Sequence, residues 1–432
     1  MREMKDSGVE WIGEIPKNWK VERLRYIIKD YKSGPFGSAL KMDGLLPDGN
    51  ILIYSPEHIT LHSSDSDKNL YLPDEREEEM SQFIVKENDI LFPIVGSLGK
   101  AMIITADMPK GIINQRVAKF QIDNTIVDQD YFMWLFAKSN FYQPYIDLSC
   151  RGSFIVNLTK AIINDMPCVI QPLAIQKKIS TYLDIKCSKI DEIIEKQQAI
   201  IEKLKEYKLS IITEAVTSGI NPDVEMKDSG SVWFGSIPTN WEMKRLKYVF
   251  HIQKDIAGEE GHTVLSITQK GIIPKDFSNN EGQFANSYAN YQLVHKGDFA
   301  MNHMDLLTGW VDISKYEGVT SPDYRVFVLN DKNGMCPEYY LYMMQMCYSA
   351  RIFYGLGQGV SGMGRWRLQA DKFLNFHIPI PPYDEQKIIA DYITDKVNHI
   401  EVEIDKRNKL VEKYQEYKKS LIYAGGTGKK EV

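Results

Sequence analysis

Met4-Lys5-Asp6-Ser7-Gly8-Val9-Glu10-Trp11-Ile12-Gly13-Glu14-Ile15-Pro16-Lys17-Asn18-Trp19 returns, 222 positions on and in step, as Met226-Lys227-Asp228-Ser229-Gly230-Ser231-Val232-Trp233-Phe234-Gly235-Ser236-Ile237-Pro238-Thr239-Asn240-Trp241. The echo runs on from Arg23, Leu24 and Tyr26 to Arg245, Leu246 and Tyr248. A second echo closes each half: Pro172, Gln176, Ile179, Tyr182, Lys186, Ile190, Ile194, Tyr207, Lys208 and Ser210 match Pro382, Gln386, Ile389, Tyr392, Lys396, Ile400, Ile404, Tyr417, Lys418 and Ser420. Between the echoes the halves diverge. A repeated frame around two divergent inserts implies one architecture that reads two different things.

The closing echoes carry a helical signal. From about Leu173 to Val216, Ile190, Ile193/Ile194, Ile200/Ile201, Leu204, Tyr207 and Ile211 fall at alternating spacings of three and four. Lys and Glu fill the other faces, which gives a coiled-coil seam of about four heptads crossed by the polar Gln197. From about Asp384 to Ala424, Val397, Ile400, Ile404, Val411, Tyr414, Tyr417 and Leu421 form a weaker stripe. A narrow seam needs a partner, and the nearest is the other repeat. An antiparallel pair with a globule at each end is therefore expected. Pro172 and Pro381-Pro382 mark the starts; Gly219-Ile220-Asn221-Pro222 and Gly425-Gly426-Thr427-Gly428 mark the ends.

Each helix follows a mixed region. Ile51–Tyr54, Ile90–Phe92, Ala101–Ile104 and Val117–Phe120 read as short strands, as do Thr263–Ile267 and Tyr324–Leu329. Tyr131–Ala137 and Pro337–Tyr348 read as short helices. The fold class is α+β: two mixed α/β domains joined by two long antiparallel coiled-coil helices with a pseudo-two-fold repeat.

The bulk numbers restrict function less than the repeat does. At 432 residues the chain exceeds a single core and splits into domains. The polar start Met1-Arg2-Glu3-Met4-Lys5-Asp6 is no signal peptide, and no apolar run is long enough for a membrane helix, so a cytoplasmic protein is expected. Cys150, Cys168, Cys187, Cys336 and Cys347 are odd in number and scattered, which points to buried reduced thiols rather than disulfides or zinc. A net charge of −6 gives a nucleic-acid partner no support, but a basic face can coexist with acidic patches such as Asp74-Glu75-Arg76-Glu77-Glu78-Glu79.

Catalytic signatures are missing. Gly96-Ser97-Leu98-Gly99-Lys100-Ala101 is too short for a phosphate loop and lacks Ser or Thr after the lysine. Asn221-Pro222-Asp223 lacks the second proline and aromatic of an adenine-methyltransferase box. Pro73-Asp74 and Pro322-Asp323 have no nuclease-like acidic-x-Lys partner. The chain reads as a non-enzyme.

The repeated Trp-x-Gly-x-Ile-Pro-x-Asn-Trp opening resembles the start of target-recognition domains in specificity subunits of type I restriction–modification systems. So does the lead Ile380-Pro381-Pro382-Tyr383-Asp384-Glu385-Gln386 into a long helix, and Ser33-Gly34-Pro35-Phe36-Gly37-Ser38-Ala39-Leu40-Lys41 resembles the loop after the first helix of such domains. Two departures stand out: Gln171-Pro172-Leu173-Ala174-Ile175-Gln176 is a degraded lead, and the second half carries Gln253-Lys254-Asp255-Ile256 where the Gly-Pro-Phe-Gly loop would be. The resemblance covers essentially the whole chain.

It implies a DNA-specificity subunit without catalysis of its own. Recognition domains would span 1–168 and 223–379, and helices 169–222 and 380–432. The partners implied are double-stranded DNA, two modification (adenine-N6 methyltransferase) subunits and restriction (translocase/nuclease) subunits, with no membrane. No cofactor belongs to this chain; S-adenosylmethionine, ATP and Mg are expected on the partner subunits. Divergent inserts imply a split, asymmetric target. A helix of about 40 residues rises roughly 60 Å, enough to hold half-site centres about 10 bp apart.

Direct readout needs polar side chains at base edges, and phosphate contacts need Lys, Arg and backbone N–H groups. In the first half the expected DNA contacts are Lys32, Ser33, Ser38 and Lys41, then Asn114, Gln115 and Arg116 after the turn at Gly111, then Arg151 and Ser153. In the second half they are Gln358, Arg365 and Arg367 around Trp366, with Gln253, Lys254, Gln269, Lys270, His303 and Arg325 as further candidates. Trp11, Trp19, Trp233 and Trp241 read as packing anchors that clamp each domain to a helix end. The alternative reading is a non-catalytic coiled-coil scaffold that binds protein partners only, but such a scaffold has no need of two different basic, Gly-rich inserts in one frame.

Overall fold

The computed structural model describes residues 2–41, 44–66, 68–95, 99–150, 157–277, 285–359 and 366–431. It divides into two compact units, Met1–Gln197 with Lys409–Val432, and Gln198–Asn408. The boundary passes through both long helices, so each unit takes half of each helix rather than leaving the helices as separate domains.

The repeated box is a β-ribbon in both units. Met4–Asp6 pairs antiparallel with Glu14–Pro16, and Met226–Asp228 with Ser236–Pro238. Its turns explain the repeated residue types. The Asp6 carboxylate accepts the Gly8 N–H at 2.9 Å and Asp228 accepts that of Gly230 at 2.9 Å, a side-chain mimic of a backbone turn. Gly8, Gly13, Gly230 and Gly235 all sit at positive φ, where a Cβ is penalised. A second ribbon joins each box to its helix: Lys20–Arg23 with Pro167–Ile170, and Glu242–Arg245 with His377–Ile380.

Each unit is built on a four-stranded antiparallel sheet. In the first the order is Ile28–Ser33, Val117–Ile122, Ile90–Pro93, Met102–Ile103; in the second it is Phe250–Gln253, Arg325–Leu329, Phe299–Met301, Val311–Ile313. A short helix packs against each sheet, Gln129–Phe136 or Pro337–Ser349, through aromatic edges such as Phe120–Phe132 and Phe250–Tyr340. The inserts are where the units part. The first holds a three-stranded sheet in which Ile51–Tyr54 runs parallel to Gly111–Ile113; the second holds two antiparallel ribbons, Leu265–Thr268 with Gly271–Pro274 and Gln292–Val294 with Gly318–Thr320.

The long helices run Leu173–Ser218 and Tyr383–Thr427. They pair antiparallel within each unit. In the first, Lys418 Nζ lies 2.7 Å from both carboxylate oxygens of Asp191. In the second, Lys208 reaches Glu401 at 3.2 Å. These are the same two positions of the repeat, exchanged. Tyr207 and Tyr417, expected in the seam, are instead 57% and 51% exposed. The neighbouring lysine turns toward the partner helix, and burial passes to Ile211, Ile212, Leu421 and Ile422.

The second helix also continues through Gly425 and Gly426, beyond the end expected from the glycines. A Cβ on Gly426 would stand 2.7 Å from Leu135 and 3.1 Å from Phe141, so the helix approaches the domain on bare backbone. Past the helix, Gly428 (φ +71°) packs on Pro16 and Trp19, while Gly219 (φ +78°) packs on Pro238 and Trp241. Tyr423 donates to the backbone carbonyls of Trp11 at 3.0 Å and Ile12 at 2.8 Å. The expected clamp between box and helix end is thus present, with Trp19 and Trp241 buried at its centre and Trp233 on the surface. Four of the five thiols are buried, and burial pushes Cys168 up to about 12.

Candidate nucleic-acid interface

In the first unit two expected contact segments adjoin. The Gly34 N–H donates to Val117 O at 2.9 Å, and a Cβ on Gly34 would stand 1.7 Å from Asn114 O. Only glycine lets the loop lie this close to the turn at 114–116. Gln115 Nε2 donates to Leu40 O at 3.4 Å, and Arg76 holds the neighbouring Ala39 O at 2.7 Å. Ser33, Lys41, Asn114, Gln115 and Arg116 therefore share one surface, with Lys41, Gln115 and Arg116 exposed. Asn114 Oδ1 is occupied by the Arg116 N–H at 2.8 Å. Lys32 is half-buried; its ammonium donates to Gln82 Oε1 and lies 5.2 Å from the Phe83 ring centre. Ser38 falls in the short turn Gly37–Leu40, but its side chain lies outside the described residues, as do Arg151 and Ser153.

The same loop carries a residue that the polar-contact logic passes over. Phe36 is 86% exposed, far more than any core aromatic. The signal was available: an aromatic between Pro35 and Gly37 has turn-formers on both sides and no hydrophobic period to bury it.

In the second unit Lys254 and Arg367 are exposed, and Arg367 pairs across a short ribbon with Gln358. Gln358 Oε1 accepts from Gln369 at 2.6 Å, and Gln253 donates to Asp255 at 2.6 Å. Trp366 packs on Tyr354 at 4.9 Å. Arg365 lies outside the described residues. Gln269 and Lys270 are exposed and face a groove with Lys205, Lys208 and Arg351.

Arg325 is not the surface residue its strand-end position suggests. It is 5% exposed, donates through one terminal nitrogen to Leu368 O at 2.9 Å, and lies 5.0 Å from the Phe373 ring centre. Beside it His303 is also 5% exposed, and its backbone carbonyl accepts the Leu368 N–H at 3.0 Å. The other terminal nitrogen of Arg325 and Nδ1 of His303 have no hydrogen-bond partner among the described residues. Burial, reinforced by Arg325, Arg367 and Lys254, drives His303 down to about 3, so its ring is neutral near pH 7. Burial lowers Arg325 to about 10, and it stays charged.

Sheet register lets the two units be compared position by position. Phe120 pairs with Ile90 and Ala118 with Phe92; Phe327 pairs with Phe299 and Arg325 with Met301. Ala118 is thus the counterpart of Arg325, and Ile94 that of His303. Leu158 N donates to Ile94 O as Leu368 N does to His303 O, which makes Asn157 the counterpart of Arg367. Ser33, opposite Ala118, corresponds to Lys254, one step beyond the Gln253–Val326 pair. One frame holds Ser33, Ile94, Ala118 and Asn157 where the other holds Lys254, His303, Arg325 and Arg367.

The family model described as the type I restriction modification DNA specificity domain matches residues 17–211 and again 238–425. The chain belongs to this family. The two matches coincide with the two repeats, so each carries one copy of the specificity domain. A curated relative, the type I restriction enzyme MjaVIII specificity subunit of Methanocaldococcus jannaschii, is 25% identical over 96% of this chain and 93% of its own length. A second from the same organism, the putative type I restriction enzyme MjaX specificity subunit, is 23% identical over 97% and 95%. A solved chain described under complex assembly and conformational transition of the type I R-M system shares the fold, with a TM-score of 0.69 at 12% identity over 96% of this chain and 99% of that one. Among the described residues, no helix is long and apolar enough to cross a membrane, and no three His, Cys, Asp or Glu side chains gather as a metal site.

Proposed function

We propose that this specificity-family chain reads a bipartite, asymmetric DNA target, one half-site per unit, and contributes no catalytic group of its own. It acts in the cytoplasm as the adaptor of a type I restriction–modification complex. It docks two modification subunits and, in the full complex, restriction subunits; S-adenosylmethionine, ATP and Mg are bound by those partners. The observation that carries the reading is the pair of specificity-domain copies whose frames match while their chemistry differs at the same register positions, Ser33, Ile94, Ala118 and Asn157 against Lys254, His303, Arg325 and Arg367. A protein selecting two unlike sequences needs this combination. A scaffold needs only the frame.

Docking is supported by the helices. Ile185, Tyr207, Ile388, Val402, Leu410 and Tyr417 are exposed along them and leave apolar surface on the helices for a partner. The recurrence of Tyr207 as Tyr417 suits a partner that binds twice.

Exchange of residues 30–165 for the matching segment of a relative with a different target tests the modular reading. The methylated motif should change in one half-site and keep the other. Change in both halves, or in neither, contradicts it.

A further inference from the structure

Resting on the DNA reading above, we propose that Lys254 and Arg367, exposed beside the buried Arg325 and His303, hold one DNA backbone phosphate in the second unit, where the uncompensated charge of Arg325 adds to their field. The case starts from burial. A guanidinium held at 5% exposure with one nitrogen unpartnered among the described residues is an incomplete arrangement, because a buried cation is costly until an anion or acceptor completes its shell. Leu368 O and the Phe373 ring satisfy part of Arg325 but bring no negative charge. The charged groups that bear on the neighbouring His303 are Arg325, Arg367 and Lys254, all cations. Two of these, Lys254 and Arg367, are exposed, so the group has a solvent-facing rim and a buried floor.

Neutral His303 packs beside Arg325 and brings no charge to offset it. A full anion fits this setting better than a purine edge. Guanine offers acceptors but leaves the excess positive charge uncompensated, and Arg325 is too deeply held to extend into a groove. The counterpart positions Ser33, Ile94, Ala118 and Asn157 carry no charge, so the site separates the two units rather than belonging to their shared frame. Bound there, a phosphate fixes the register of the second half-site while other residues read its bases.

The test uses the chain assembled with its modification subunit and a duplex bearing its methylated motif, with affinity measured between 50 and 200 mM salt, a range over which phosphate contacts register strongly. Lys254→Ala and Arg367→Ala, both at exposed positions, should each weaken binding about 3- to 10-fold. Each should lower the slope of log affinity against log salt by roughly one, with the same loss on duplexes altered at any single base of the second half-site. Arg325→Met should also weaken binding and lower the salt slope; the buried charge it removes and the hydrogen bond to Leu368 O that it breaks act on Tm in opposite directions, so the slope is the readout. A merely structural arginine would leave the salt slope alone.

Loss of discrimination at one base pair, with the slope unchanged, overturns the phosphate assignment in favour of a base contact. Unchanged affinity and slope in both rim variants overturns the site. If Arg325→Met fails to fold, the rim variants decide the matter alone. Absence of motif-dependent binding by the unaltered complex would instead count against the DNA reading itself.

Discussion

Gln176, buried in the first turn of the first long helix, accepts the backbone N–H of Asp128 at 2.7 Å and donates to Ile126 O and Gln171 O at 2.9 and 2.8 Å. Gln386 does the same in the second unit, accepting from Cys336 N at 3.0 Å and donating to Pro381 O at 3.0 Å. The glutamine that recurs after each proline lead is therefore a staple between helix and recognition domain. The primary amide accepts through its oxygen and donates through its nitrogen, so one side chain ties both kinds of backbone group.

Gln176→Leu and Gln386→Leu leave those backbone groups without a partner. Each should destabilise its unit by about 1–3 kcal/mol, seen as a lower urea midpoint. Equal stability in both variants would mean the staple is dispensable.

The helix-end clamp gives a second expectation. Gly428 is at φ +71° with a would-be Cβ 2.6 Å from Pro16, whereas Gly8 is at φ +74° with nothing within 4 Å. Gly8→Ala should cost only the left-handed backbone penalty, about 1 kcal/mol, and Gly428→Ala clearly more because the clash adds to it. Thermal unfolding of the two variants side by side separates strain from packing.

Phe36→Ala removes an aromatic that the domain does not bury. Stability should stay within about 0.5 kcal/mol. Affinity for the target should fall by about tenfold, in line with loss of one stacking or wedging aromatic. Fluorescence anisotropy on a motif-bearing duplex checks it; unchanged binding would make Phe36 a bystander.

His303 sets a pH dependence whose sign follows from its downward shift from 6.5 to about 3. Between these values the unfolded chain holds a proton that the folded chain excludes. The stabilisation is complete above about pH 6.5 and is lost as pH falls toward 3, at no more than about 1.4 kcal/mol per pH unit. Urea midpoints at pH 7, 6 and 5 should fall less steeply for His303→Gln than for the native chain. Parallel slopes would contradict the burial of a neutral imidazole.

The frame was legible in the sequence because its determinants are local. Apolar spacing placed both long helices to within a few residues; Ile51–Tyr54 was readable as a continuous apolar run, and Val117–Phe120 as an apolar stretch interrupted by Lys119. The box ribbons were not, since Met4–Asp6 and Glu14–Pro16 are only three residues each, too short to show an alternating pattern. At the candidate interface, residue type located the Gly34 loop and the 114–116 turn, but only tertiary contact shows that they adjoin. Arg325 illustrates the converse. Its strand ends in charge and reads as surface, yet Leu368 and Phe373, more than forty positions away, enclose it. Tyr207 and Tyr417 fit a seam by spacing alone, but the lysine beside each, and not the tyrosine, faces the partner helix.

The most direct measurement is genome-wide adenine methylation in a host carrying the neighbouring modification subunit, with and without this chain. A split, asymmetric motif that appears only when the chain is present is the predicted result, and it supplies the target for every binding experiment above. An active modification subunit whose methylation is the same in both hosts would contradict the central claim and leave the helices as a scaffold.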